Sequence, residues 1–369
     1  MIPVAKRLEK VDLSDVRKMF ETSGKNDINL GIGEPDFDIP ENVKNTIIDG
    51  LEKGFTHYTS NMGCIELREE ISKKLKKDNF VSVDSNSIMV TTGASEALYV
   101  ISQSLFDKGD EVLIPDPGFL SYKSCVELAE AKPVPFEASF ENDYKAKYED
   151  IQDKISSKTR GIILNSPSNP TGAVMDKEDI KAICDLSIDK DFIIISDEIY
   201  EKIIYDAKHY SPAQFSENTL LVNGFSKAYA MTGFRIGYIA GQSDVIDEIL
   251  KVHQYNTACA SSISQLGAYE ALKSSDRYVE DLVKEFRRRK DLILSGLDDL
   301  GLEYGDVQGA FYVFPKVVVA DYVEKALKAG VVLVPGKGFG ESCKDNLRIS
   351  YANSYENLEE AINRLKTIG

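Results

Sequence analysis

Residues Asn223–Tyr238 read Asn-Gly-Phe-Ser-Lys-Ala-Tyr-Ala-Met-Thr-Gly-Phe-Arg-Ile-Gly-Tyr. The stretch follows one apolar run, Thr219–Val222, and leads into another, Ile236–Ala240. Short, nearly uninterrupted runs of this kind are expected of strands buried on both faces of a parallel sheet. Four more precede them: Ile88–Val90, Glu111–Ile114, Gly161–Leu164 and Phe192–Ile195. Amphipathic helical spacing lies between the runs, as in Leu67, Ile71, Leu75 and again in Ile180, Ile183, Cys184. Alternating strand and helix predicts an α/β domain over residues 46–280, with a mainly parallel sheet flanked by helices.

Beyond residue 280 the pattern changes. A helix is followed by probable strands at Phe311–Phe314 and Val331–Val334 and a closing helix on Leu358, Ile362 and Leu365. With residues 1–45 this segment predicts a smaller α+β domain. The N-terminal part holds a Gly/Pro loop, Gly31 to Pro40, and Pro40 is placed to start a helix. A chain of 369 residues is long enough for two domains. Its 43% hydrophobic and 28% charged residues are those of a globular protein rather than a disordered or membrane-embedded one.

The net charge of −16 argues against nucleic acid or an anionic membrane as partner, because both require a basic surface. The basic run Arg287 to Lys290 falls in a helical pattern and reads as a solvated face. The five cysteines (Cys64, Cys125, Cys184, Cys259 and Cys343) form no CxxC pair and read as free thiols of a reducing compartment. His57, His209 and His253 are too few and too separated in sequence to suggest a metal centre. The N-terminus lacks an apolar signal core, and no run is long enough to span a bilayer. The expected location is the cytoplasm.

In an open parallel sheet, ligands bind outside the carboxyl ends of the strands. Here those ends carry polar and Gly/Pro sequences. The first run leads to Thr91-Thr92-Gly93-Ala94-Ser95, the second to Pro115-Asp116-Pro117-Gly118-Phe119, and the third to Asn165-Ser166-Pro167-Ser168-Asn169-Pro170. The fourth leads to Ser196-Asp197-Glu198-Ile199-Tyr200 and the fifth to Asn223-Gly224-Phe225-Ser226-Lys227. Each piece has an ordinary reading: Gly93 as a tight turn, Asp197 as a helix cap, Asn169 as a turn residue, Phe119 as core, Lys227 as solvated surface. Together they place a carboxylate, amides, a phenol, an amine, an aromatic ring and a glycine-opened helix at one sheet edge. That set suits a charged, planar, phosphorylated ligand, since a helix N-terminus offers free N–H groups to phosphate.

Taken in order, these segments resemble the class I aminotransferases of pyridoxal 5′-phosphate (PLP) fold type I. The wording of several is similar to archaeal members described as aromatic or aspartate aminotransferases. The likeness runs from Gly31-Ile32-Gly33-Glu34-Pro35-Asp36-Phe37 to Asn346-Leu347-Arg348-Ile349-Ser350 and is strongest in the quoted stretch. The resemblance implies that Lys227 forms a Schiff base with the cofactor and shuttles the proton at the substrate Cα. It implies that Asp197 keeps the pyridine nitrogen protonated and that Tyr200 and Asn169 bond the ring's phenolic oxygen. Phe119 would stack on the ring. Gly93, Ala94, Ser95, Ser226 and Arg235 would hold the phosphate. Arg348 would clamp the substrate α-carboxylate, with Gly33 and Asn169 assisting. Tyr58 would reach the phosphate of a neighbouring subunit, which implies a homodimer with shared sites. The implied substrates are an amino acid (aspartate or aromatic) and a 2-oxo acid, 2-oxoglutarate, in ping-pong turnover, with no metal.

Some positions depart from the family. Many relatives carry a phosphate-binding Ser where this chain has Gly224, leaving Ser226 as the substitute. The chain has no Trp to stack on a ring, and Ser95 stands where one bacterial aspartate branch places a Lys. A dinucleotide-binding dehydrogenase is excluded because Gly31-Ile32-Gly33 lacks the third glycine, and Gly336-Lys337-Gly338 lacks P-loop spacing. A PLP-dependent C–S lyase or related synthase of the same fold remains the alternative.

Overall fold

The expected runs pair into one sheet. The computed structural model describes residues 4–11, 24, 26–317 and 321–368. A short strand, β1 (Ile28–Asn29), comes first. The main sheet then takes β2 (Ile88–Thr91), β3 (Glu111–Asp116), β4 (Lys132–Glu137), β5 (Thr159–Asn165), β6 (Ile193–Asp197), β7 (Thr219–Gly224) and β8 (Gly237–Ala240). Their order is β2-β8-β7-β6-β5-β3-β4, and only β8 runs antiparallel to its neighbours.

Strand pleating sends alternate residues to opposite faces, and the core follows that period of two. Met89, Val112, Ile114, Ile163, Ile195, Leu220, Val222 and Ile239 bury one way with helices Gly93–Leu105 and Ser243–Asn256. Leu113, Ile162, Leu164 and Ile194 bury the other way with helix Lys177–Lys190. Ile88, Val90, Leu221 and Ala240 meet Val43 and Ile47 of helix Glu41–Glu52, which begins one residue after Pro40. β4 has no apolar-run signature. Its alternating Pro133 and Pro135 and its mostly exposed surface suit an edge strand, where missing N–H groups cost nothing.

A second layer is built from β9 (Tyr312–Val313), β10 (Val331–Val332), β11 (Val334–Pro335) and β12 (Leu347–Ser350). β11, β12 and β9 form an antiparallel sheet, while β10 pairs in parallel with β1. Helices Asp276–Asp299 and Tyr355–Leu365 pack on them through Leu282, Phe286, Ile293, Leu358 and Ile362. The same core includes Ile199 and Tyr200 from the end of β6, so the two layers meet where the sheet edge is polar.

One expectation is overturned. The basic run is not simply a solvated face, because four consecutive helical residues cover a whole turn and some must point inward. Arg287 and Arg288 reach outward, but Arg289 and Lys290 are buried. Arg289 pairs with Asp36 at 2.6 Å and with Glu285 at 3.0 Å, its guanidinium over the Phe37 ring. It therefore fastens the N-terminal loop to the long helix. All five cysteines are free thiols. Among the described residues no helix is long and apolar enough to cross a membrane.

The first turn of helix Gly93–Leu105 is held from behind by a buried carboxylate. Glu96 accepts from the Thr92 N–H, from His253 Nδ1 at 3.0 Å, from Asn256 at 3.1 Å and from the Thr257 hydroxyl at 2.9 Å. Burial raises its pKa, but these donors win and bring it down to about 2. A depressed carboxylate adds stability above its unfolded value of about 4.3 and loses it as pH falls through the folded value. Glu96→Gln is expected to cost about 2 kcal/mol near pH 7, with the gap between variant and parent closing as pH falls from about 4 to 2. Urea unfolding across that range checks both.

Candidate active site

A cavity of about 600 Å³ opens at the carboxyl ends of β5, β6 and β7, beside the start of helix Gly93–Leu105. It collects Gly33, Ala94, Ser95, Phe119, Asn169, Asp197, Tyr200, Ser226, Lys227, Arg235 and Arg348 on one wall or another. These come from sequence positions more than 300 residues apart, as expected where loops after parallel strands converge.

At one end the helix opens on Gly93, whose φ of +79° few side-chain-bearing residues adopt. A Cβ there would also lie 2.7 Å from Arg235 Nη2. Arg235 is aimed by its bond from Nη1 to the Thr232 carbonyl at 2.8 Å. Guanidinium, helix N-terminus, Ser95 and Ser226 thus gather at one place, a donor set that fits a phosphate. Position 224 has no room for a serine: a Cβ would sit 2.8 Å from the Ile236 carbonyl oxygen.

Asp197 ends β6 and is buried. Its carboxylate accepts from the Tyr122 hydroxyl at 2.8 Å and the Ile199 N–H at 3.3 Å, and Asn165 Nδ2 donates to its carbonyl at 2.9 Å. Burial pushes its pKa up to about 6, against the pull of those two donors. A buried carboxylate held this way fits the protonated nitrogen of a heteroaromatic ring. Behind it Glu198 is saturated by Ser196, Ser211, Asn79 and His209, while Glu201 takes Lys74 and Asn79. The ligand atoms of Glu198, Glu201 and His209 lie within 4.8 Å of one another, but Lys74 already supplies a cation to Glu201.

Lys227 follows β7 and points across the cavity, donating to the Gly33 carbonyl at 2.6 Å. Burial brings its amine down to about 8; Arg348 and Arg235 push the same way, and Glu34 and Asp197 oppose them. Arg348, on β12, donates to the Gly31 carbonyl at 2.6 Å and to Asn169 Oδ1 at 3.0 Å. Its Nε is buried without a partner among the described residues. An orphaned donor on a buried guanidinium that lines a cavity fits a carboxylate ligand.

Two expected residues are not on the wall. Gly93 acts through its backbone next to Arg235, and Tyr58 is 88% exposed on a surface loop. Three residues that the sequence reading passed over are close to the chemistry. Tyr122 lies three positions after Phe119, as the second residue of helix Ser121–Leu128, and its ring meets Phe119 edge-on at 5.7 Å. Asn165 is the last residue of a strand, and its Oδ1 accepts from the Asn169 N–H at 2.8 Å. Tyr312 reads as core within Phe311–Phe314, yet its hydroxyl meets that of Tyr200 at 2.9 Å. The polar ends of these residues were legible, but their partners were not.

A mainly parallel sheet with a half-buried lysine and a buried aspartate and arginine at its carboxyl edge defines a PLP-dependent enzyme of fold type I. A family model described as aminotransferase class I and II matches residues 25–365. A probable aspartate aminotransferase of Methanocaldococcus jannaschii is 46% identical over 99% of each chain. Aromatic-amino-acid aminotransferase 2 of Thermococcus litoralis is 39% identical over 98% of this chain and 97% of the relative. The aspartate aminotransferase of Thermus thermophilus, solved with maleate, superposes with a TM-score of 0.97 at 36% identity over all of both chains. The chain belongs to the class I and II aminotransferases, and it is a PLP-dependent transaminase. The C–S lyase alternative draws no support from these relatives.

Capture of the cofactor aldehyde requires a neutral amine. With a value near 8, about a tenth of Lys227 amines are neutral at pH 7, against fewer than one in a thousand for an ordinary lysine. Uptake of PLP by the apoprotein is expected to accelerate with rising pH to a plateau, with a midpoint near 8; stopped-flow absorbance checks it.

Proposed function

We propose that the protein transfers an amino group from an L-amino acid, aspartate or aromatic, to 2-oxoglutarate in two half-reactions of ping-pong type. The observation that carries this reading is the buried Arg348 guanidinium with its unused Nε, in the same cavity as the half-buried Lys227 amine. An amino acid and a 2-oxo acid share one α-carboxylate, so one clamp serves both half-reactions. The relatives named as aspartate and aromatic aminotransferases support the choice of donor, and maleate on the Thermus enzyme supports a dicarboxylate partner.

Bound PLP supplies an electron sink that stabilises negative charge at the substrate Cα. Lys227 would hold the cofactor and then carry the proton at Cα, a task suited to an amine titrating near 8. Asp197, supported by Tyr122, would hold the ring nitrogen's proton. Tyr200 and Asn169 would donate to the ring oxygen, and Phe119 would cover the ring face. Ser95, Ser226, Arg235 and the N–H groups at Gly93 and Ala94 would hold the phosphate. Gly33 would assist Arg348 at the substrate carboxylate.

The proposal also takes residues 46–280 as the cofactor domain and residues 1–45 with 281–369 as the smaller domain. The placement of β1 and β9–β12 together supports that division. A homodimer is part of the reading. Its support is the exposure of two aromatics, Tyr58 and Tyr255, on segments joined by the bond from Asn61 to the Ala258 carbonyl. A cytoplasmic setting agrees with five unpaired cysteines.

Lys227→Ala is expected to lose steady turnover while still binding PLP through its phosphate and ring contacts. Normal turnover by that variant would sink the assignment. Arg348→Ala is expected to raise KM for both amino and oxo acids roughly 10- to 100-fold, the loss of a charged hydrogen-bonding pair. A panel of aspartate, tyrosine, phenylalanine and alanine with 2-oxoglutarate, compared by kcat/KM, tests the donor. Release of pyruvate and ammonia without transfer would overturn the reaction class.

A further inference from the structure

Tyr312 sits between two groups to which the proposed function assigns separate tasks. It is fully buried on β9. Register pairs Tyr312 with Ser350 and Val313 with Ile349, so Arg348, two residues before Ser350, shares its face as a diagonal neighbour. The guanidinium carbon of Arg348 lies 4.7 Å from the Tyr312 ring centroid, and the Phe339 ring approaches the same carbon at 4.8 Å. Two aromatic rings therefore hold the fork at cation–π distance. At its other end the Tyr312 hydroxyl meets the Tyr200 hydroxyl at 2.9 Å, its one hydrogen-bond partner among the described residues.

We propose that Tyr312 is a positioning residue that acts through both: its hydroxyl donates to the Tyr200 oxygen, and its ring sets the plane of Arg348. The inference rests on the roles given above to Tyr200 and Arg348. Each phenol has one proton. When Tyr200 donates its proton to a ligand oxygen, the bond between the two hydroxyls persists only with Tyr312 as its donor. A phenol that accepts one hydrogen bond becomes a stronger donor of the next. A stronger donor stabilises negative charge on the cofactor's ring oxygen, which then holds the proton of the neighbouring Lys227 nitrogen less firmly. That nitrogen loses its proton at lower pH.

Gly33 belongs to the same arrangement. A Cβ at Gly33 would lie 2.3 Å from the Tyr312 hydroxyl oxygen but 3.3 Å from the ring carbon that bears it. The hydroxyl makes the harder clash, and the ring carbon a milder one. The charged or titratable groups facing the Lys227 nitrogen are Glu34 from the N-terminal loop, Asp197 and Tyr200 from β6 and its turn, Arg235 before β8, Tyr312 on β9 and Arg348 on β12. Removing the Tyr312 hydroxyl changes none of their charges.

The test uses the PLP-loaded enzyme and the pH midpoint of its visible absorption. Tyr312→Phe is expected to raise that midpoint by about 0.5 to 1 pH unit, the size of one neutral hydrogen bond, with KM for the amino acid within about twofold of the parent. Tyr312→Leu should raise the midpoint similarly and also raise KM roughly tenfold, since the ring under Arg348 is gone. Gly33→Ala should impair the parent more than it impairs the Tyr312→Phe background, a coupling that a merely structural tyrosine would not produce. An unmoved midpoint in Tyr312→Phe, alongside a raised one in Tyr200→Phe, overturns the inference and leaves the role of Tyr200 standing. Unmoved midpoints in both overturn the inference and the role of Tyr200 together. Loss of the visible band in every variant and the parent points instead to failure of the Lys227 assignment.

Discussion

A lysine amine half-buried beside two arginines is the constraint around which the site is arranged. Lys227 is only partly accessible to water, so its charge is poorly solvated, and desolvation together with Arg348 and Arg235 moves it toward the neutral form. Asp197 and Glu34 oppose that tendency without cancelling it. The result is a group that can gain and lose a proton near neutral pH. An amine left on the surface would stay charged there and could not act as a base.

That balance depends on two layers of structure meeting at one edge. Asp197 ends β6 and Lys227 follows β7 of the main sheet, whereas Arg348 and Tyr312 come from the smaller antiparallel sheet. The contacts that join them are polar and specific: Arg348 to Gly31 and Asn169, Lys227 to Gly33, Tyr200 to Tyr312. Further from the centre Arg289 ties Asp36 to the long helix, which steadies the loop that carries Gly31 and Gly33. A buried pair of this kind adds little net stability over an apolar contact, but leaving one partner unpaired is costly, so the pairing selects one arrangement of the loop.

The end of the cavity that would hold a phosphate follows a different logic. There the donors are a helix start, two hydroxyls and a guanidinium, and the helix start is itself braced by Glu96 from the opposite side. Glycine is required at residue 93 by its positive φ and by the nearness of Arg235. At residue 224 the neighbouring backbone leaves no room for a side chain, and Ser226 is the nearby hydroxyl on the cavity wall.

The sequence by itself determined the strands, the polar residues at their carboxyl ends and, through the motif around Lys227, the family. The reason is that strand burial and turn chemistry are written in neighbouring residues, where a period of two and a Gly/Pro boundary can be read directly. β4 escaped because an edge strand need not be apolar, and its prolines look like a loop. Arg289 was read as solvated because a run of like charges says nothing about which residue faces inward. Tyr122, Asn165 and Tyr312 carried their polar groups in plain sight, but each acts through a partner far along the chain: Asp197 lies 75 positions from Tyr122, and Tyr200 lies 112 from Tyr312. Lys227 was legible as a candidate. Its lowered pKa, and the company that causes it, exist only because the tertiary structure removes water and brings Arg348 from the far end of the chain to its side.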